Sequence, residues 1–199
     1  MFLEIDMYNK IKLFKGECMQ KCAFFDRDGV INEDVGYVYK QKDFIFCDGL
    51  FELLKTLKKQ DYLLLVMTNQ SGIARGYYTQ EDLFILHQYM QDTLTHKLGF
   101  CFDRIYHCPH LPSQNCECRK PNIGMVKAAL KDFEIDLKQS FFVGDNITDM
   151  QCAENAGIWG KFLLQKDEKN TESSQHSIKN LQKISTLHQL HSIIQATKT

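Results

Sequence analysis

The feature that most constrains the fold is an alternation that begins at residue 21. Five short apolar runs read as buried strands: Cys22–Phe25, Tyr62–Met67, Arg104–Tyr106, Ser140–Val143 and Phe162–Leu164. Between them lie stretches whose apolar residues recur on one helical face. Leu50, Leu53, Leu54 and Leu57 form the first such face, and Leu83, Leu86, Met90, Leu94 and Leu98 the second. Thr79 with Asp82 three residues on gives the second helix a capping-box start. Met125, Ala128, Ala129 and Phe133 suggest a third helix, and Met150 to Ala156 a short fourth. Strands alternating with helices predict an α/β fold, a doubly wound parallel sheet covered on both faces. Residues 165–175 are polar and read as a loop. Leu187, Leu190, Ile193 and Ile194 then mark a C-terminal helix over about 186–196.

A chain of 199 residues suits one domain, read as 21–199, preceded by an extension over 1–20. The 24 Lys and Arg against 25 Asp and Glu give a net charge of −1. That balance offers no long-range field to hold nucleic acid or an anionic bilayer. No secretory signal opens the sequence, and no apolar stretch is long enough to span a membrane. A cytoplasmic, monomeric protein is expected. In that reducing compartment, clustered cysteines read as metal ligands rather than disulfides.

Four of the eight Cys lie between 101 and 118, and all three Pro between 109 and 121. Cys108-Pro109-His110 and Cys116-Glu117-Cys118 form two short pairs. Three thiolates and an imidazole are the donor set of a closed, structural Zn²⁺ site, here within a loop over 107–121. Spacing by two puts both members of a pair on one side of an extended segment, so His107 faces away. Cys22, Cys47, Cys101 and Cys152 read as small buried hydrophobes. Cys18 has no assigned role, and a Cys18–Cys22 disulfide is disfavoured by the compartment.

In open α/β sheets, ligands bind beyond the carboxyl ends of the strands. Phe25-Asp26-Arg27-Asp28-Gly29 ends the first run, Thr68-Asn69-Gln70-Ser71-Gly72 the second, and Gly144-Asp145-Asn146-Ile147-Thr148-Asp149 the fourth. The Cys-rich loop leads from the third to Arg119-Lys120-Pro121. Each piece alone is ordinary turn or cap chemistry. Together they bring carboxylates, a hydroxyl and a lysine to one rim, the set that magnesium-assisted phosphoryl transfer needs.

Asp26-x-Asp28-Gly29-Val30, Thr68-Asn69, Lys120 and Gly144-Asp145-x3-Asp149 resemble, in order, the four motifs of the haloacid dehalogenase (HAD) superfamily. FDRDGVIN, GYV at Gly36–Val38, TNQSGIARG, CPH, CxCRKP and VGDNxxDM are similar to its histidinol and heptose-bisphosphate phosphatase branch. TNQSGIARG with GYV is most like the heptose 1,7-bisphosphate 7-phosphatases, and the likeness runs from about Lys21 to Ile158. The resemblance implies a HAD-like Rossmannoid fold, with no room for a cap domain between Asp28 and Thr68 or between Thr68 and Lys120.

The same resemblance implies roles. Asp26 is the nucleophile, Asp28 the general acid and base, and Thr68 and Lys120 hold the phosphoryl oxygens. Mg²⁺ is held by Asp26, the Asp28 backbone carbonyl and Asp145, while Asp149 orients Lys120 or a metal-bound water. A phosphorylated sugar is the implied partner, contacted by Asp34, Val35, Gly36, Tyr37, Thr68, Asn69, Gln70, Ser71, Arg119, Lys120 and Asn146. For Asp34 and Tyr37, plain surface packing serves equally well. The implied activity is removal of the 7-phosphate in cell-envelope precursor synthesis, with histidinol phosphate or another small phosphomonoester as the alternative substrate. Two departures leave anomer and sugar open: Asn146 stands where many heptose phosphatases carry Lys, and the His110–Cys116 gap is shorter than in several relatives. Residues 1–20 lie outside the motif pattern, and Met19 would be a natural start. An added element or an upstream start codon both account for them.

Overall fold

The computed structural model describes residues 19–165 and 178–196. Its centre is a six-stranded sheet in the order β3-β2-β1-β4-β5-β6, with every neighbouring pair parallel. The strands are β1 (Cys22–Phe25), β2 (Leu63–Asn69), β3 (Arg104–Cys108), β4 (Phe141–Gly144), β5 (Gly160–Leu164) and β6 (Leu181–Ile184). The helices are α1 (Leu50–Lys59), α2 (Gln80–Leu98), α3 (Gly124–Asp132), α4 (Ile147–Ala156) and α5 (Leu187–Ala196).

The central strands are apolar throughout because both faces are covered, and their alternation divides the core in two. Ala23, Phe25, Leu64, Val66, Phe141 and Val143 point into one layer with α1, α2 and α5. Cys22, Phe24, Leu63, Leu65, Met67 and Phe142 point into the other, with α3 and α4. The stripe on α1 is fully inside: Leu50, Leu53, Leu54 and Leu57 are all buried. On α2, Leu83, Leu86, Met90 and Leu94 are buried and Leu98 packs half-buried at the margin. The Thr79–Asp82 capping box forms as the sequence predicts. Between Asp28 and Thr68 the chain forms a loop, a 3-10 turn, α1 and β2, with no inserted domain.

Several boundaries differ from the sequence reading. The sixth strand is missing from it, because LQKI exposes its two central residues at the sheet edge and carries no apolar run. β3 continues to Cys108, which puts the first of the paired cysteines on a strand end. α4 begins at Ile147, a turn before Met150, because Asn146 caps it. Gln20, counted with the extension, is tied to the sheet region: its N–H donates to Glu134 O (2.7 Å), and its carbonyl accepts from Asp136 N (2.9 Å). Residues 1–18 and nearly all of the 165–175 loop lie outside the described residues. Cys22, Cys47 and Cys152 are buried as expected, whereas Cys101 is only half-buried.

Candidate active site

A cavity of about 370 Å³ opens at the carboxyl ends of β1, β2 and β4, where the parallel sheet places a crevice. Asp26, Asp28, Asp34, Gly36, Tyr37, Asn69, Gln70, Ser71, Arg119, Lys120, Asp145 and Asn146 line it, together with Tyr78, Thr148 and Asp149. Two expected contacts are not in its wall. Val35 points to solvent at 64 % exposure, and Thr68 is buried, its Oγ1 accepting from Gln70 Nε2 (2.7 Å).

Lys120 organises the floor. Its Nζ lies 2.9 Å from Asp26 Oδ1 and 2.6 Å from Asp149 Oδ1. These are charge contacts rather than well-aligned hydrogen bonds, since the ammonium has no partner at hydrogen-bonding angles. Burial would lower the lysine's pKa, but Asp149 and then Asp26 outweigh it and hold the ammonium well above its usual range. Asp26, Asp145 and Asp149 each present a carboxylate oxygen within 4.8 Å of the others. Burial, then the charge of Asp149, pushes Asp26 up to about 7 despite Lys120. Burial, then Asp26, pushes Asp145 up to about 7. Three carboxylates against one ammonium leave a formal −2, the charge one divalent cation would cancel. All the donors are hard oxygens, which fits Mg²⁺. The backbone makes room for this cluster, since a β-carbon on Gly29 would overlap the Asp145 carboxylate and one on Gly144 the Asp149 carboxylate.

Asp28 belongs to a different set of contacts. Arg27 lies fully buried, and its Nη2 donates to both Asp28 oxygens at 2.7 and 2.9 Å. Asn32 Nδ2 adds a bond at 3.0 Å and Gln70 Nε2 one at 2.8 Å. Arg27 also donates to Val38 O (2.7 Å) and lies 3.3 Å from His87 Nε2. Burial, then the neighbouring guanidinium, pushes His87 down to about 3, so its ring is neutral and accepts at Nε2.

Several residues read from the sequence as sugar contacts also have partners within the protein. Asn69 pairs with the Lys120 backbone in both directions: Oδ1 accepts from Lys120 N (3.1 Å) and Nδ2 donates to Lys120 O (3.3 Å). Asn146 Oδ1 accepts from Thr148 N and so caps α4 (3.1 Å). Asp34 Oδ1 accepts from Gly36 N (2.9 Å), which shapes a turn where Gly36 and Tyr37 both take positive φ. The sequence reading missed Arg27, Asn32 and Tyr78. Arg27 carried one signal, a cation set between two motif aspartates; Tyr78 carried none.

Beside the cavity, Cys108, His110, Cys116 and Cys118 converge. The Cys108 and Cys118 sulfurs are 3.0 Å apart, and His110 Nδ1 lies 3.3 Å from Cys118 Sγ and 3.5 Å from Cys108 Sγ. All four donor atoms lie within 4.8 Å of one another, a set that fits tetrahedral Zn²⁺. His107 points elsewhere, its ring 6.3 Å from that of His87. Arg119 Nη1 donates to His110 O (3.2 Å), which ties the loop to the cavity wall.

The comparisons with known proteins point to one family. The family model for polynucleotide kinase 3 phosphatase matches residues 21–185. The D-glycero-alpha-D-manno-heptose-1,7-bisphosphate 7-phosphatase of Campylobacter jejuni is 50 % identical over 82 % of this chain and 93 % of its own length. The D-glycero-beta-D-manno-heptose-1,7-bisphosphate 7-phosphatase of Helicobacter pylori strain J99 is 46 % identical over 82 % of this chain and 94 % of its own. Among solved structures, the D,D-heptose 1,7-bisphosphate phosphatase of B. bronchiseptica, complexed with magnesium and phosphate, aligns with a TM-score of 0.77 at 27 % identity. That alignment covers 89 % of this chain and 99 % of the other.

Proposed function

Because this chain belongs to the HAD phosphatases, in the family of the heptose-bisphosphate 7-phosphatases, and is a phosphoric monoester hydrolase, we propose that it removes the 7-phosphate of D-glycero-D-manno-heptose 1,7-bisphosphate. The observation that carries this reading is the buried Lys120 bridging Asp26 and Asp149 beside Asp145, on the floor of a cavity lined by polar loop residues.

Asp26 attacks phosphorus, and the bond from phosphorus to the sugar oxygen breaks to leave an aspartyl-phosphate. Asp28 gives its proton to the departing oxygen. It then takes one from the water that attacks the aspartyl-phosphate, which releases phosphate and restores Asp26. Such proton transfers are typically worth about 10²–10⁴-fold. Lys120 and Thr68 hold the phosphoryl oxygens where charge collects. Mg²⁺, when held by Asp26, the Asp28 carbonyl and Asp145, would neutralise the repulsion between nucleophile and phosphate. Asp149 keeps Lys120 aimed at the phosphate. Zn²⁺ at Cys108, His110, Cys116 and Cys118 would be structural, fixing Arg119 and Lys120. Arg119, whose planar fork suits a phosphate, binds the substrate's other phosphate.

The reaction would serve cytoplasmic synthesis of heptose precursors for lipopolysaccharide, by a monomer. Relatives at 50 % and 46 % identity are named for the alpha and the beta anomer respectively, so identity alone does not choose between the anomers. Phosphate release from both anomers and from histidinol phosphate, with and without Mg²⁺, tests the reading. Turnover of histidinol phosphate alone would refute it, as would full activity in Asp26→Asn.

A further inference from the structure

Gln70 lines the cavity, yet both of its amide hydrogens are already committed to protein partners. It is 2 % exposed, and its two amide hydrogens go to Asp28 Oδ2 (2.8 Å) and Thr68 Oγ1 (2.7 Å). Its carbonyl oxygen accepts the Tyr78 hydroxyl at 2.5 Å. We propose that Tyr78 is a positioning residue for phosphoryl transfer, acting through Gln70 to set the geometry of Asp28 and Thr68 together. This inference rests on the roles proposed above for those two residues.

Each bond in the chain restricts the next. A phenol that donates to Oε1 leaves Nε2 facing inward, and a flipped amide would set an oxygen against the Asp28 carboxylate. Burial holds the Tyr78 phenol up at about 12 against the pull of Arg27, so it keeps the proton it donates. Thr68 Oγ1 accepts from Gln70 at 2.7 Å, which fixes the position of the hydroxyl assigned above to the phosphoryl group. Around Asp28, Arg27, Asn32 and Gln70 all donate. These donors fix the orientation of the Asp28 carboxyl, and Gln70 is the one among them that also holds Thr68. Tyr78 is itself fixed by ring contact. It stacks on Tyr39 at 5.1 Å, and a β-carbon on Gly72 would overlap its ring.

Tyr78→Phe keeps the ring and its stacking and removes only the donor. Steady-state constants for Tyr78→Phe, Gln70→Met and the double variant, on p-nitrophenyl phosphate and on heptose 1,7-bisphosphate, test the proposal. We expect Tyr78→Phe to lower kcat on the sugar bisphosphate about tenfold with KM within twofold, and to lower it less on p-nitrophenyl phosphate, whose leaving group needs no proton. The double variant should be no slower than Gln70→Met, because both changes break one chain. A kcat for Tyr78→Phe within twofold of wild type, or multiplicative losses in the double variant, would overturn the proposal. If Gln70→Met does not fold, the split between kcat and KM in Tyr78→Phe decides. If the wild type ignores heptose bisphosphate but cleaves p-nitrophenyl phosphate, the substrate reading fails; the positioning role is then decided on p-nitrophenyl phosphate, where a loss of about threefold or more in Tyr78→Phe supports it and none overturns it.

Discussion

Lys120 and Asp149 face each other across 2.6 Å with 1 % of either side chain exposed, and Asp149 does two jobs at once. Its Oδ1 meets the ammonium while its Oδ2 accepts from Asn146 N (3.1 Å) and closes the capping box of α4. Removing one member of a buried ion pair leaves the other without compensation, at a cost of about 3–5 kcal/mol. Asp149→Ala should therefore lose about that much in urea unfolding, together with most of kcat. Asp149→Asn, which keeps an oxygen for the cap, should lose less stability. A loss below about 1 kcal/mol in Asp149→Ala would show that Asp26 alone holds Lys120.

The crowded carboxylates fix a sign for the pH dependence. Asp26 and Asp145 sit at about 7 in the folded protein, above the ordinary aspartate value of 3.8. The folded state thus keeps protons that the unfolded chain has released, and these two groups lower stability as pH rises from about 4 to 7. A divalent cation held by this cluster, as proposed, would bind its deprotonated form. Saturating Mg²⁺ should then raise Tm more at pH 7.5 than at pH 5, as read by scanning calorimetry. Equal gains at both pH values would place the cation elsewhere.

The sulfur cluster should behave as a local clamp. Cys116–Cys118 and His110 meet Cys108 at the end of β3, and the loop between has little apolar content of its own. Chelation or Cys118→Ala should speed amide exchange over residues 109–120 before it affects β1, β2 or β4. Activity should fall with it, because Lys120 follows the loop. Uniform exchange across the sheet would mean the metal supports the whole fold.

The architecture was legible because its signals are local. The apolar runs of β1, β2 and β4 are buried on both faces, and the α1 stripe has a clean helical period. β6 was not, since an edge strand with a Gln and a Lys exposed carries no such pattern. In the site, the sequence brought Asp26, Lys120, Asp145 and Asp149 to one rim because each follows a strand in a parallel sheet. It did not show that Asn69, Gln70 and Asn146, which line the cavity, also bond protein through their amides. A side-chain amide serves either purpose equally well, and only packing decides between them. Arg27 reaches His87 from 60 residues away, and Tyr78 meets Gln70 through an eight-residue loop, which no spacing rule encodes.

The Arg27–His87 contact gives an opposite pH signature that a single variant can isolate. His87 is 8 % exposed and held at about 3, against an ordinary 6.5, by burial first and then by Arg27 and His107. A histidine depressed in the folded state contributes stability that is fully present above 6.5 and is lost as pH falls toward 3, because the unfolded chain takes up the proton first. Between pH 7 and 4.5 this site should cost the wild type about 2–3 kcal/mol. The carboxylates at the cavity floor act in the other direction over the same range, so the wild-type profile alone cannot separate the two. His87→Gln can, since an amide oxygen still accepts from Arg27 but takes up no proton. Urea unfolding should show the variant losing about 2–3 kcal/mol less than wild type over that interval, whatever its stability at pH 7. Parallel profiles for the two proteins would mean that His87 is protonated in the fold despite the guanidinium at 3.3 Å.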